Sequence, residues 1–210
     1  MKITELDIDE VNQGIAYSVG LIYPLIKVVT YESKEYVAGQ INHHGNMITD
    51  EELSSHFNQV HSFLSQYISN DLLLLGNLSN RLGNKKGFSL LVEKNDNDFI
   101  GILDRIVEII SNSESIDVKK YFIRGCFDGR SSYDTTSGYL SIDVDRDYNK
   151  QDKIKNIINN FDIDVNLNQR DLLHPKNDQI RIQRRNLDDF MNKIGFFSVR
   201  RIAIIMNRNL

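Results

Sequence analysis

The sequence predicts an α+β protein built from two pseudo-symmetric halves, each with helices packed on an antiparallel sheet. Segments whose apolar residues lie three or four positions apart alternate with short segments in which every second residue is apolar, which is typical of helices and strands. The order αββαββα occurs about twice, with a period of about 100 residues. We therefore predict one half at residues 1–115 and another at residues 116–210, the alternative being a single α+β domain whose elements merely alternate.

The first half is predicted to begin with a helix over Asp9–Pro24, where Ile15, Val19 and Ile22 share one face. Proline disfavours helical backbone in the residue before it, so the helix ends there. Acidic residues in the first turn favour a second helix from Asp50. The further elements of this half are strands at Val28–Tyr31, Tyr36–Ile41, Leu72–Leu78 and Phe88–Val92, and helices at Asp50–Ile68 and Asp98–Ile110.

The second half follows a polar joint at Ser111–Ser115 and repeats this order. Its strands alternate clearly: Ile180 and Ile182 face one way, and Gln179 and Arg181 face the other. The predicted elements are helices at Val118–Gly129, Asp152–Phe161 and Asn186–Ile194, and strands at Tyr139–Val144, Val165–Arg170 and Gln179–Gln183.

Composition limits the class of protein. The chain has 210 residues, of which 40% are hydrophobic, so it can bury a substantial core. The formal net charge of −4 excludes a general polyanion binder, so any nucleic-acid surface must be local. A single cysteine, Cys126, excludes an internal disulfide and fits a reducing compartment. No signal peptide and no apolar run of about 20 residues is visible, so we expect a cytoplasmic protein without membrane association.

Two segments of the second half carry a family pattern. Ile123–Ser131 reads Ile-Arg-Gly-Cys-Phe-Asp-Gly-Arg-Ser, and Phe190–Arg201 contains a phenylalanine, an Ile-Gly-Phe turn and then basic residues. Together they resemble the signature helix and the closing pattern of the LAGLIDADG homing endonuclease family, over about 90 residues. In the first half, Tyr17–Leu25 is similar to the partner helix, with Gly20 in the position of Gly125.

The resemblance implies two packed signature helices and two saddle-shaped antiparallel sheets that straddle duplex DNA. It also implies an acid at the eighth position of each signature, where the two acids hold divalent metal ions beside the scissile phosphates. Here those positions are Arg130 and Leu25. Neither side chain binds Mg²⁺, since arginine stays cationic and leucine offers no oxygen. We therefore expect no catalytic residue of the usual kind, no metal site and no cofactor.

Other acids leave alternatives open. Asp128 lies two residues before Arg130, about 200° around the helix, so it serves either as a polar helix-end contact or as a displaced metal ligand. Alternation along a strand would put Asp143, Asp145 and Asp147 on one face, either as a cation site or as solvated charge. An active nuclease with an unusual site would use Asp128 and Asp143, and only that alternative requires Mg²⁺.

The outward residues of the second sheet are mostly Asn, Gln and Arg, whose side chains match adenine and guanine edges in the major groove. The segment from Asn166 to Arg201 contains eight Lys or Arg and four Asp, which gives a local charge of +4. A plain solvated face, or ion pairs to nearby acids, is the alternative. The candidate DNA-binding residues are Asn166, Asn168, Arg170, Lys176, Gln179, Arg181, Gln183, Arg184, Arg185, Arg130, Arg200, Arg201, Lys85 and Lys86.

Three functions follow as hypotheses. The first is sequence-selective binding of double-stranded DNA on a catalytically degenerate homing-endonuclease scaffold. The second is an active metal-dependent endonuclease. The third is a protein-interaction module that uses the acidic first half to bind another protein.

Overall fold

The structure is a computed structural model that describes residues 11–31, 33–43, 49–67, 73–75, 86–94, 99–171 and 173–207. The first half contains α1 (Gln13–Ile22), β1 (Val28–Tyr31), β2 (Lys34–His43), α2 (Asp50–Leu64), β3 (Leu73–Leu75), β4 (Lys86–Glu93) and α3 (Phe99–Asn112). The second half contains α4 (Ile116–Arg130), β5 (Ser131–Tyr133), β6 (Leu140–Val144), α5 (Tyr148–Asn159), β7 (Val165–Asn168), β8 (Asp178–Ile182), α6 (Leu187–Lys193) and α7 (Val199–Met206).

The strands form two four-stranded antiparallel sheets, one in each half, which confirms the α+β class. The strand order is β1-β2-β4-β3 in the first sheet and β5-β6-β8-β7 in the second. The two orders correspond strand for strand, which is consistent with the pseudo-symmetry that the sequence predicts. In the second sheet Ser141 pairs with Arg181, and Arg181 pairs in turn with Asn166.

The helices α1 and α4 cross through their glycines. A Cβ atom added to Gly20 would lie 2.1 Å from the carbonyl oxygen of Phe122, and one added to Gly125 would lie 2.2 Å from that of Tyr17. No real Cβ atom approaches a backbone oxygen so closely. The crossing therefore requires glycine in both helices, as the signature resemblance predicts.

One hydrophobic core joins both halves. The inward residues of the strands, such as Ile180 and Ile182, are fully buried in it. In the second half, the ring centroid of Phe127 lies 4.7 Å from that of Phe190, so the signature helix packs directly on α6. Within the described ranges, no helix has the length and apolar character needed to cross a membrane.

The boundaries differ from the predicted ones where caps act. The Asn12 side chain accepts a hydrogen bond from the Ile15 amide at 2.9 Å, so α1 begins at Gln13 rather than at Asp9. Asp147 caps α5 in the same way, and this helix therefore starts four residues earlier than predicted. A capping box between Thr49 and Glu52 fixes the start of α2 at Asp50, which is the predicted position.

Two elements were not predicted. The edge strand β5 follows α4 without a loop, in a segment to which the sequence analysis assigned no element. The helix α7 occupies the end of the closing pattern, and its partly buried Ile202 packs on the core. Of the strand predicted at Leu72–Leu78, Leu72 and residues 76–78 lie outside the described residues.

Candidate nucleic-acid interface

The two eighth signature positions lie in contact. The Arg130 guanidinium donates a hydrogen bond from Nη2 to the carbonyl oxygen of Leu25 at 3.2 Å. Arg130 is partly buried, which lowers its pKa, while the nearby carboxylates of Asp143 and Asp145 act in the opposite direction. Its Nε atom is buried and has no hydrogen-bond partner in the described part of the protein. A cation of the protein itself therefore stands at the end of the helix pair.

The acids near this position do not form the strand face that the sequence predicted. Asp143 lies on β6, but the strand ends at Val144, and alternation stops there. Asp145 instead forms an ion pair with the buried Lys150 at 2.5 Å. Asp147 accepts hydrogen bonds from the first amides of α5. The prediction of three aspartates on one face was wrong, and no group of three or more potential metal ligands exists among the described residues.

Asp128 is fully buried and holds three parts of the protein together. Its carboxylate accepts hydrogen bonds, each at 3.0 Å, from the Tyr17 hydroxyl and from the amides of Phe197 and Ser198. Burial raises the pKa of Asp128, and the two amide donors oppose that shift. The carboxylate thus connects α1, α4 and the start of α7. This is the polar helix-end contact that the sequence offered as one of two alternatives.

The two arginines of the closing pattern differ in their surroundings. Arg201 donates from Nε to the carbonyl oxygen of Asp128 at 2.9 Å and from Nη1 to that of Ser131. Burial lowers the pKa of Arg201 to about 10. The Arg200 Nε is buried and unpaired among the described residues. Arg201 therefore secures the end of α4.

The side chains of the second sheet that point away from its core face are polar, and we call this side the polar sheet face; one of them, Ser141, is buried. It consists of Ser132, Ser141, Asp143, Asn166, Asn168, Gln179 and Arg181. Arg181 donates from Nε and Nη2 to the Gln179 side-chain oxygen, and Gln179 in turn donates to Asp143 at 3.0 Å. The Arg181 guanidinium also lies 4.4 Å from the centre of the Tyr139 ring. These contacts fix the side chains before any ligand binds.

The loop between β7 and β8 is held from within. Buried Asp178 accepts hydrogen bonds from the Arg170 amide at 2.9 Å and from the Gln151 side chain at 3.0 Å. Arg146 donates to the carbonyl oxygens of His174 and Lys176. The exposed Lys176 is therefore presented at the edge of the polar sheet face on a fixed backbone.

The remaining candidates lie on two edges. Arg184 and Arg185 are exposed on a short 3₁₀ turn after β8, and Gln183 precedes that turn. Gly138, in left-handed backbone with φ of 70°, leaves room for the Arg184 side chain, because a Cβ there would lie 2.9 Å from its Cδ. Lys85 lies outside the described residues. Lys86 begins β4, but its side chain lies outside what the structure describes.

Several solved structures are similar to this chain. I-DmoI in complex with DNA and calcium is similar over 94% of this chain and 100% of its own, with a TM-score of 0.55 and 15% sequence identity. The N-terminal LAGLIDADG domain of DUF199/WhiA is similar over 95% of this chain and 90% of its own, with a TM-score of 0.52 and 11% identity. The chain has a LAGLIDADG homing endonuclease-like fold.

Other matches agree on this LAGLIDADG-like fold. I-DmoI in complex with DNA and manganese matches over 89% of this chain and 98% of its own, with a TM-score of 0.53 and 15% identity. Full-length DUF199/WhiA from Thermatoga maritima matches 99% of this chain with a TM-score of 0.53 and 11% identity, and the chain spans 63% of its length. No protein-family model and no curated protein sequence matches the chain.

Some of the residues of this site lie where the sequence predicts them. Asn166, Gln179 and Arg181 lie together on one sheet face, as alternation predicts. The contact between Arg130 and Leu25 follows from the paired signatures. The roles of Arg146 and Asp178 were missed, because their partners are distant in sequence and neither residue lies in a motif.

Proposed function

We propose that this protein binds double-stranded DNA in a sequence-selective manner through the polar sheet face and does not cleave it. The observation that carries the proposal is the chain of hydrogen bonds from Arg181 through Gln179 to Asp143 on that face. Arg, Gln and Asn side chains match base edges in the major groove. Side chains that are already ordered lose less conformational entropy when they bind.

We assign the affinity for DNA to the Lys and Arg side chains around the polar sheet face. The exposed Lys176, Arg184 and Arg185 lie on its loops, and the partly buried Arg170 begins the loop after β7. Phosphate contacts of this kind position a protein on DNA, and base contacts determine sequence preference. The solved relative I-DmoI is bound to DNA, which supports the assignment on this fold.

The lack of cleavage is inferred from the helix junction. Arg130 and Leu25 occupy the positions that the signature resemblance assigns to the acids, and they contact each other. The buried Asp128 already accepts three hydrogen bonds, so its carboxylate serves the fold. A cation at the junction repels Mg²⁺ and attracts phosphate.

Selection of bound duplexes from a random pool tests the proposal. We expect enrichment of a defined site, affinity that falls steeply with salt, and no product when the selected duplex is incubated with Mg²⁺ or Mn²⁺. A defined nick would instead support the endonuclease alternative. Failure to retain any duplex at low salt would support the protein-interaction alternative.

A matched pair of variants separates base reading from general charge. Arg181→Gln should relax the preference at one position of the selected site and lower affinity about 5- to 150-fold, the range for one bidentate base contact. Arg105→Gln, on the exposed surface of α3, removes the same charge elsewhere and should change affinity less than twofold. Equal losses in the two variants would contradict base reading by Arg181.

A further inference from the structure

A cavity of about 310 Å³ lies between the edge strand β5 and the helix α7. Its polar lining comes from Arg200, Arg201 and the segment Ser131–Tyr133, and its apolar lining comes from Leu140, Ile204 and Ile205. This volume is at the lower end of the range for small-molecule sites, which is about 300–1,000 Å³.

Two polar side-chain atoms of the residues that line this cavity lack partners. The Ser131 hydroxyl and the Arg200 Nε are both buried, and neither has a hydrogen-bond partner among the described residues. A buried polar group without a hydrogen bond destabilises the folded state, and a charged one does so more strongly. A ligand that accepts from both groups would remove this penalty.

The charge around the cavity is positive. The described residues that line it include two arginines and no acid. The carboxylate of Asp128 lies near Arg201 but is already bonded to the Tyr17 hydroxyl and to the amides of Phe197 and Ser198. Burial lowers the pKa of Arg201, and the charge of Arg200 acts in the same direction.

We propose that this cavity binds a small organic anion, with a carboxylate or phosphate head on the Arg200 and Ser131 side and a compact apolar body against Leu140, Ile204 and Ile205. The apolar lining is what separates this ligand from a bare inorganic ion. Ser132 is the one residue that the cavity lining shares with the polar sheet face. The proposed polar contacts, Arg200 and Ser131, lie outside that face, so the inference does not depend on base reading by it.

The test uses isothermal titration calorimetry on the full chain with two probes, benzoate and inorganic phosphate. Benzoate has the anionic head and the apolar body, and phosphate has only the charge. We expect millimolar or tighter binding of benzoate, and binding of phosphate that is at least fivefold weaker. Phosphate binding as tightly as benzoate would overturn the assignment of an apolar body, and no binding of either probe at 20 mM would overturn the site.

Three variants locate the binding. Arg200→Gln should weaken benzoate at least tenfold, and Ile204→Phe should abolish its binding by filling the cavity without a change of charge. Arg105→Gln removes an exposed arginine outside the cavity and should leave benzoate binding unchanged. Circular dichroism checks that each variant is folded, and if Ile204→Phe is not, Arg200→Gln decides. Benzoate affinity equal to that of the wild type in Arg200→Gln would overturn the proposal.

Discussion

The effect of Gly20→Ala on the free energy of unfolding tests the helix crossing. Replacement of Gly20 by alanine in an isolated helix is favourable by about 1 kcal/mol, since alanine has the higher helix propensity. In this protein the new Cβ would lie 2.1 Å from the Phe122 carbonyl oxygen, 3.0 Å from the Cys126 amide nitrogen and 3.1 Å from the Gly125 Cα. All three are backbone atoms, so no rotamer change relieves the contacts. The helices α1 and α4 must therefore move apart, by about 1 Å, in a closely packed core.

Overpacking of a core destabilises proteins by about 1–3 kcal/mol, and a contact between backbones lies at or above the upper end of that range. After the propensity gain is subtracted, we expect Gly20→Ala to lower the free energy of unfolding by about 2–3 kcal/mol. For a chain of this size that corresponds to a decrease in Tm of about 4–12 °C. Because the same crossing is affected, the double variant with Gly125→Ala should destabilise less than the sum of the two single variants.

Urea denaturation followed by circular dichroism at 222 nm measures the change. Gly129→Ala is the matched control on the same helix pair: its Cβ would lie 3.2 Å from the Leu21 carbonyl oxygen, so the adjustment needed is a few tenths of an ångström. We expect this control to stay within about 1 kcal/mol of the wild type. If Gly20→Ala is as stable as the wild type or more so, the crossing described above is incorrect.

Three further predictions concern buried and junction residues. Asp128→Ala should lower the free energy of unfolding by about 3–5 kcal/mol in urea denaturation, since it leaves three donors without their acceptor and removes the negative charge that acts on Arg201. An unchanged midpoint would contradict this. Burial lowers the pKa of His56 from 6.5 to about 4, which favours the neutral ring in the folded state. The contribution of His56 to the free energy of unfolding is therefore complete above pH 6.5, and about 3 kcal/mol of it is lost as the pH falls towards 4. In urea denaturation, the free energy of unfolding of His56→Phe should change less between pH 7 and 4 than that of the wild type. Arg130→Gln should weaken binding of the selected duplex and reduce the salt slope by about one, as measured by fluorescence anisotropy across a salt series; an unchanged slope would exclude a phosphate contact.

Sequence reasoning succeeded where local chemistry decides the structure. The signature resemblance places Gly20 and Gly125 in the two packed helices. At each position a Cβ would contact the backbone of the other helix. Strand alternation placed Gln179 and Arg181 on the outward face because a residue between Ile180 and Ile182 must point away from the core.

It failed where an element ends or where partners are distant. Asp145 and Asp147 were placed on the face of Asp143 by extending alternation past Val144, although an aspartate before a helical run is also an N-cap signal. The bond from Arg201 to the Asp128 carbonyl oxygen joins positions 73 residues apart, and no local pattern predicts such a pair.

The charges at the helix junction are balanced by the protein's own side chains. Asp145 is paired with the buried Lys150, and the Arg130 guanidinium lies near both Asp143 and Asp145. In a site that holds divalent metal ions, the carboxylates would need those ions to offset their charge, and DNA phosphates would meet net negative charge without them. Here the cations are part of the fold. We therefore infer that the proposed duplex binding does not depend on divalent ions, so EDTA should leave the affinity for a selected site unchanged. A loss of binding in EDTA would show that the junction needs a metal.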